Sequence, residues 1–177
     1  MDELVREYLD YLRIERGSSP LTVEAYANDL RDYTAFLKGK GISGVDEIER
    51  GTVASFEADL FSRGYAASSI ERRISVLKGF HRFLVREGYT RRNPADTLPL
   101  PKTPDRLPDV LSVEQVDEML SQPLEPGPAP LRDRAILEVM YGCGLRVSEC
   151  SGLDMSDTML DEGYLRVVGK GGKERIA

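Results

Sequence analysis

The chain has 177 residues, of which 41% are hydrophobic and 31% charged, and its formal net charge is −6. This balance supports one or two water-soluble globular cores and excludes wholesale disorder. No apolar run approaches the roughly 18 residues needed to cross a bilayer, and the first residues lack the basic-then-apolar pattern of a signal peptide. We therefore expect a cytoplasmic protein without membrane contact.

The two cysteines do not indicate a metal centre. Cys143 and Cys150 are too few and wrongly spaced for a disulfide framework or a zinc site. A free cysteine usually behaves as a small hydrophobic residue. We predict two buried thiols and no bound metal.

The negative total charge hides a basic segment. A charge of −6 is the wrong sign for binding the phosphate backbone of DNA, but binding depends on where the charges lie. Residues 1–107 carry 17 Lys and Arg against 17 Asp and Glu, whereas residues 108–177 carry 7 against 13. Residues 63–92 contain eight bases and two acids, a local excess of +6 (8 − 2). This segment is the predicted cationic surface.

The first two of four predicted helices have clear start and stop signals. Apolar residues recur at helical spacing between residues 4 and 12, and Gly17 ends this helix. Ser19 then caps a second helix, which carries Pro20 in its first turn. That helix is expected to end near Gly39.

The third and fourth helices follow at once. The third is predicted to run from about Thr52 to Gly64. The fourth is predicted to open with a capping box formed by Ser68 and Glu71, and to run to about Glu87. Four helices in the first hundred residues predict a small helical domain.

The fourth predicted helix divides into an apolar arc and a cationic face. Bases recur at i, i+4 and i+8 opposite the apolar arc, and few acids dilute them. A solvated surface usually mixes signs, so we predict DNA contact, with a solvated charged face as the open alternative. His81 lies on the apolar arc and is predicted to be a packed histidine. The predicted DNA-contacting residues, including two arginines that follow the helix, are Arg72, Lys78, Arg82, Arg86, Arg91 and Arg92.

A proline-rich segment separates the two halves of the chain. Residues 93–108 contain five prolines and no helical period, so they predict an extended linker. The predicted domains are therefore residues 1–92 and residues 109–177.

The second half alternates helices with one strand. A capping box of Ser112 and Gln115 predicts a short helix to about Leu120, followed by a proline-rich loop over residues 123–130. A further helix is expected from Leu131 to about residue 142. Residues 164–168 are a strand candidate before a glycine-rich turn.

The segment Gly144-Leu-Arg-Val-Ser-Glu149 could bind a phosphate. The rigid guanidinium of Arg146 can donate to two non-bridging oxygens at once. Glu149 lies one turn later and could hold that guanidinium in place. The open alternative is a surface Arg–Glu helix pair.

A second cation lies 24 residues after Arg146. Lys170 is flanked by Gly169 and Gly171, at a turn where a backbone can approach a polyanion. A phosphate-binding P-loop is excluded, because the glycine spacing is one residue too long and Gly171 replaces the required Ser or Thr. A solvated hairpin tip remains the alternative for Lys170 alone.

Together these segments resemble the tyrosine site-specific recombinases of the phage integrase family, closest to the bacterial Xer type. The resemblance covers nearly the whole chain and rests on Ser19–Tyr26, Arg91–Ala95, Leu131–Ala135, Tyr141–Glu149 and Gly169–Arg175. It implies that Arg146 is the first catalytic arginine, Glu149 its supporting acid and Lys170 the lysine that protonates the leaving hydroxyl.

The resemblance also implies a fold and a reaction. The fold would be mainly α with a small β-hairpin: a four-helix, SAM-like core-binding domain followed by an incomplete α+β catalytic domain. The family cleaves and rejoins DNA through a phosphotyrosyl intermediate, with no metal or nucleotide cofactor. The implied partners are double-stranded DNA and other recombinase protomers.

The family's later catalytic residues have no counterpart here. A His-x-x-Arg segment, a further His or Trp and the nucleophilic tyrosine lie beyond the lysine hairpin in such enzymes, and neither Tyr141 nor Tyr164 occupies the nucleophile's context. We therefore expect a chain that binds duplex DNA but does not cut it by itself. The sequence leaves open a DNA-binding regulator of an intact recombinase, or a helical module that binds an acidic protein. It does not separate chromosome dimer resolution from phage or mobile-element integration.

Overall fold

The computed structural model describes residues 1–100, 109–159, 161–169 and 172–177. The chain forms two compact units, Met1–Arg106 and Leu107–Ala177. The first is helical, and the second combines helices with a small sheet. The expected fold class is thus confirmed: mainly α, with a helical first unit and a second unit that carries a small antiparallel sheet. Among the described residues, no helix is long and apolar enough to cross a membrane.

Four helices and one 3₁₀ turn build the first unit. They are α1 (Asp2–Ile14), α2 (Pro20–Gly39), the 3₁₀ turn Val45–Glu47, α3 (Arg50–Ser62) and α4 (Ala67–Arg86). The apolar arc of α4 is buried as its period predicts, and it packs against the other helices of the unit. Burial of each such side chain contributes roughly 1.5–3 kcal/mol, which makes α4 the central element of this core.

A glycine in the middle of α4 permits a close helix crossing. A Cβ at Gly79 would lie 2.6 Å from the hydroxyl oxygen of Tyr8 on α1. Tyr8 is 3% exposed, and its ring centroid lies 5.5 Å from that of Phe80 and 5.4 Å from that of Phe83. A larger residue at position 79 would clash with Tyr8 of α1, so glycine is favoured there despite its poor helix propensity.

The helix boundaries confirm one predicted cap and correct another. Ser19 accepts a hydrogen bond from the Thr22 N–H at 3.2 Å, as expected for an N-cap. The predicted box of Ser68 and Glu71 at the start of α4 is wrong. Helix α4 begins at Ala67, so Ser68 lies inside its first turn, and the N-cap Ala66 makes no side-chain bond.

The start of α3 is also earlier than expected. It begins at Arg50, two residues before Thr52, whose hydroxyl oxygen instead accepts from the Glu49 N–H at 3.4 Å. Gly64 has φ 78, and the Tyr65 N–H donates to the carbonyl of Leu60. This left-handed turn ends α3 and leaves only Tyr65 and Ala66 before α4.

The first residues of the expected linker pack against the helical core. The Ala95 N–H donates to Asn93 Oδ1 at 3.0 Å, and the Leu98 N–H donates to the Ala95 carbonyl at 3.2 Å. Ala95 and Leu98 are 0% and 5% exposed. Residues 93–98 therefore form turns rather than an extended run, because two apolar side chains can be buried there. Residues 101–108 of the expected linker lie outside the described residues.

The second unit carries three helices and an antiparallel sheet. Its elements are α5 (Val113–Leu120), α6 (Pro128–Cys143), α7 (Val147–Ser151), a 3₁₀ turn Met155–Asp157, β1 (Thr158–Met159), β2 (Tyr164–Val168) and β3 (Glu174–Ile176). The strand order is β1-β2-β3. The capping box of α5 is confirmed, since Ser112 Oγ accepts from the Gln115 N–H and Gln115 Oε1 accepts from the Ser112 N–H.

Helix α6 begins earlier than the sequence predicted. It starts at Pro128 rather than Leu131, with two prolines in its first turn. Proline fits there because the first-turn N–H groups have no partner within the helix. The proline-rich loop is correspondingly shorter than expected.

The histidine and cysteine predictions have different outcomes. His81 is confirmed as a packed histidine, 1% exposed, with Nε2 3.1 Å from the hydroxyl of Tyr33. Burial lowers the pKa of His81 to about 4. Cys143 and Cys150 are free but only half-buried, so the expectation of buried thiols is wrong.

Candidate phosphate site and DNA-binding surface

Arg146 is positioned by the turn that ends α6. Gly144 adopts the left-handed conformation at φ 58, which closes the helix, and the Leu145 N–H donates to the Met140 carbonyl at 3.0 Å. Leu145 is only 6% exposed and anchors the turn. Arg146 therefore follows a fixed turn directly, and it is the N-cap residue of α7.

Glu149 binds both the backbone and the side chain of Arg146. Its Oε2 accepts from the Arg146 N–H at 2.9 Å, and its Oε1 accepts from Arg146 Nη1 at 2.8 Å. The Arg146 side chain remains 71% exposed, whereas that of Glu149 is 4% exposed. Among the described residues, no other nitrogen of this guanidinium donates a hydrogen bond. The remaining donors can therefore face a bound anion.

The surroundings of Glu149 favour its charged form. The hydrogen bond from the Arg146 N–H is the largest influence and lowers the pKa of Glu149. Desolvation comes next and raises the pKa, but hydrogen bonds from the guanidiniums of Arg146 and Arg175 also lower it, so that the pKa lies below its ordinary value. The carboxylate is therefore a fixed negative partner and not a proton donor at neutral pH.

The glycine-rich hairpin reaches the same carboxylate. The Gly169 N–H donates to the Lys173 carbonyl at 2.7 Å, and the Gly172 N–H donates to the Gly169 carbonyl at 3.1 Å. A Cβ at Gly169 would lie 3.4 Å from Glu149 Oε1. Lys170, the predicted proton donor, lies outside the described residues, but the residue before it lies against the Arg146–Glu149 pair.

Arg175 is a member of this cluster that the sequence analysis did not assign. It lies on β3, and its Nη2 donates to Glu149 Oε2 at 3.1 Å and to the Gly144 carbonyl at 3.3 Å. Arg175 lies in the glycine-rich segment that the sequence singled out. The face of the sheet on which its side chain lies depends on the strand register, in which Val167 pairs with Arg175. That register could not be predicted, because the length of the turn was unknown from the sequence.

The cluster is suited to holding one phosphate diester. Two guanidinium charges and one carboxylate leave a net charge of +1 (2 − 1). A phosphate diester carries one negative charge, and arginine recognises its oxygens through paired N–H donors. Among the described residues, no group of His, Cys, Asp and Glu could hold a metal ion.

The basic residues of the first unit are not equivalent. Arg72 forms a two-pronged pair with the buried Asp29, and Arg73 pairs with Asp32 at 2.7 Å. Arg63 also reaches Asp32, at 2.8 Å. The local excess of +6 counted along the sequence is therefore an overestimate of the cationic surface, because acids from α2 balance part of it.

Lys78 lies on the cationic face of α4, but its ammonium donates to main-chain oxygens of the same unit. Its Nζ lies 2.6 Å from the Leu98 carbonyl oxygen and 3.4 Å from that of Asp96. These bonds cap the turn of residues 95–98. The structure thus gives Lys78 a role in holding residues 95–98.

Arg82 and Arg86 border a groove between α1, α2 and α4. The groove has a volume of about 390 Å³ and also contains Tyr11 and Tyr26. Arg86 lies 4.0 Å from the ring centroid of Tyr11 and donates to Glu87 at 2.7 Å. Arg82 is exposed and has no hydrogen-bond or ion-pair partner within the part of the chain that the structure describes. Arg82 is therefore the base on this face most available to a polyanion.

Arg91 and Arg92 lie apart from that groove. Both are exposed and line a cleft of about 710 Å³ that also contains Arg50, Asp46 and Glu49. The cleft carries both signs of charge. The six predicted DNA-contacting residues therefore divide into paired bases and more accessible ones.

Comparison with known proteins finds family matches for both units. Residues 5–88 match the model of the phage integrase N-terminal SAM-like domain, and residues 109–177 match the phage integrase family. The chain is 39% identical over 176 residues to tyrosine recombinase XerD of Staphylococcus haemolyticus (strain JCSC1435), covering 99% of this chain and 60% of the relative. The XerD of Staphylococcus aureus (strain Mu50) has the same identity and coverage.

Solved structures show the same fold. A lambda integrase dimer bound to a COC′ core site superposes with a TM-score of 0.76 at 20% identity, covering 100% of this chain and 61% of that chain. The XerH recombinase bound to difH in a pre-cleavage complex gives 0.64 at 19% identity, covering 98% and 52%. The chain spans 60% of the length of the curated XerD relatives. It belongs to the phage integrase family of tyrosine recombinases.

Proposed function

We propose that this chain acts in site-specific DNA recombination, by binding duplex DNA and holding the scissile phosphate beside Arg146. The observation that carries this proposal is the cluster of Arg146, Glu149 and Arg175 with the glycine-rich hairpin against it. Its net charge and exposed guanidinium suit a phosphate diester. A surface Arg–Glu pair would not need a second arginine on the same carboxylate.

Each cation has a separate task in the proposed reaction. A tyrosine oxygen attacks the phosphorus, a phosphotyrosyl bond forms, and the bond to the 5′ oxygen breaks. Arg146 stabilises the charge that develops on the non-bridging oxygens. Lys170 gives its proton to the leaving 5′ oxygen, so that a hydroxyl departs.

The partners follow from the two units. The helical unit contacts duplex DNA through its accessible bases, and other recombinase protomers complete the assembly. The proposed domains are residues 1–92 and 109–177, joined by residues 93–108. Within these 177 residues no tyrosine occupies the nucleophile's context, so a polypeptide of these residues alone binds DNA without forming a covalent bond to it.

The test joins these 177 residues to the part of the Staphylococcus haemolyticus XerD that lies beyond the match. On a nicked duplex that traps the covalent intermediate, this longer protein should form adducts that survive denaturation. Arg146→Ala should lower the cleavage rate about 10²–10³-fold, as loss of one donor does in comparable anion sites. Lys170→Ala should slow cleavage chiefly when the leaving group is an ordinary 5′ oxygen.

A substrate with a bridging 5′ sulfur separates the two roles, because the thiolate leaves without a proton. It should restore cleavage by Lys170→Ala and not by Arg146→Ala. Equal rescue of both variants would overturn the assignment. The control is Arg166→Ala, because Arg166 pairs with Asp157 outside the cluster. This variant should cleave at the rate of the unaltered protein.

A further inference from the structure

Arg175 lies on the inward face of the hairpin. In the antiparallel ladder it stands opposite Val167, so the two side chains share a face of the sheet. Val167 is 0% exposed. That face therefore packs on the unit's interior, which directs the guanidinium of Arg175 towards Gly144 and Glu149.

One nitrogen of Arg175 bridges two other elements. Nη2 donates to the carbonyl of Gly144, which ends α6, and to Oε2 of Glu149, which lies in α7. A Cβ at Gly169, at the other end of the turn, would lie 3.4 Å from Oε1 of the same carboxylate, so the backbone passes close to it there. Residues on both sides of the turn thus lie near Glu149.

The charge of Arg175 also changes what Arg146 can bind. Glu149 and Arg146 alone would form a neutral pair, and a buried carboxylate with a single cation holds that cation strongly. A second guanidinium shares the carboxylate and leaves a net positive charge for an anion.

We propose that Arg175 is a positioning residue of the phosphate site: it locks the lysine hairpin onto the Arg146–Glu149 pair and keeps that pair able to bind a phosphate diester. This proposal rests on the proposed function. Arg175 does not itself contact the reacting atoms, and its effect passes through Glu149 and the hairpin.

The test compares Arg175→Met and Arg175→Lys with the control Arg166→Met in the 177-residue chain. Arg166 is the matched control because it lies on β2, pairs with Asp157, and stands opposite Ile176 on the other face of the sheet. The first readout is hydrogen exchange of the Arg146 and Gly169 amides, corrected for intrinsic rates. The second is the NMR shift of the Arg146 side-chain Nε–H during titration with dimethyl phosphate.

Arg175→Met should speed exchange at both amides by at least about tenfold, the effect of losing one hydrogen bond to a charged group. It should also abolish the dimethyl phosphate response of Arg146, while Arg166→Met changes neither readout. Arg175→Lys keeps the charge and one donor, so it should restore the phosphate response and only part of the protection. This rescue separates positioning from a general loss of stability.

Two results would overturn the proposal. Exchange in Arg175→Met equal to that in Arg166→Met would reduce Arg175 to a surface ion pair. Loss of the phosphate response in Arg175→Lys as complete as in Arg175→Met would overturn the charge argument. Failure of the proposed function is distinguishable, because the unaltered chain would then show no dimethyl phosphate response at Arg146 even though Arg175→Met still speeds exchange.

Discussion

Glu149 shows how a single carboxylate can set the direction of an exposed guanidinium. Its two oxygens bind different donors of Arg146, so neither the turn nor the guanidinium can rotate independently. These donors lower the pKa of Glu149. Their contribution to the free energy of unfolding is therefore complete at pH values above the ordinary pKa of 4.5, and it is lost as the pH falls below that value. The second unit therefore gains stability from Glu149 at neutral pH.

We predict that Glu149→Gln lowers the free energy of unfolding of the second unit at pH 7 and has a smaller effect at pH 3. At the lower pH the carboxyl is protonated in the unfolded state, so its charged interactions add less to stability and the substitution removes less. Denaturant titration followed through the amide signals of Leu145 and Val167 measures this difference. An equal effect at both pH values would contradict the role of the charge.

His81 predicts a pH dependence in the first unit. Burial lowers its pKa from 6.5 to about 4, so the native state binds the proton less well than the unfolded state does. The free energy of unfolding is therefore largest above about pH 6.5 and decreases as the pH drops towards 4. The loss should be on the order of 3 kcal/mol, from 1.36 kcal/mol per pKa unit.

We predict that His81→Gln, which cannot be protonated, removes most of this decline. Urea unfolding of both proteins at pH 7 and pH 4.5, followed through the α4 amides, gives the comparison. Tyr33→Phe is the control, since it removes the hydroxyl near Nε2 and leaves the imidazole. A decline of the same size in His81→Gln would assign the pH dependence to other groups.

At the scale of elements, the period of α4 was enough to predict which of its side chains are buried. The sequence placed its apolar arc correctly because a 3.6-residue repeat defines one face without knowledge of the partner. It could not predict which bases are paired. Asp29 lies 43 residues from Arg72, and only the packing of α2 on α4 brings them together.

The same limit applies to the candidate phosphate site. Arg146 is the N-cap residue of α7 and Glu149 lies three residues later in that helix, so their contact was predictable from spacing. Arg175 is 26 residues from Glu149, and its direction depends on strand register. The predicted capping box of α4 was wrong because the turn at Gly64 fixes where that helix can begin.

We predict that the bases of α4 differ in their effect on DNA binding. Arg82→Ala should lower the slope of log affinity against log salt by about 0.9, the value for one lost phosphate contact. Lys78→Met should leave that slope unchanged and should instead speed hydrogen exchange at Leu98, whose turn it caps. Anisotropy titrations of both variants on one labelled duplex provide the slopes.

A fall in slope for Lys78→Met equal to that for Arg82→Ala would contradict this division. It would show that the ammonium leaves the Leu98 carbonyl to meet a phosphate. Circular dichroism of both variants should show the helix content of the unaltered chain.

At the scale of the whole molecule, the chain combines a negative net charge with a proposed polyanion partner. The two are compatible because acids outnumber bases only in residues 108–177, whereas the first 107 residues are balanced. Short-range fields decide binding at physiological salt, where the screening length is about 8 Å. The accessible arginines of the helical unit and the +1 cluster around Arg146 are therefore what a duplex would meet.

DNA binding without cleavage can be tested by a salt series of duplex titrations with the 177-residue chain, each sample then run on a denaturing gel. We expect affinity that falls linearly on a log–log plot with rising salt, and no covalent adduct at any salt concentration. Binding that is absent at low salt would contradict the DNA partner. A covalent protein–DNA band would contradict the claim that these residues bind DNA without cutting it.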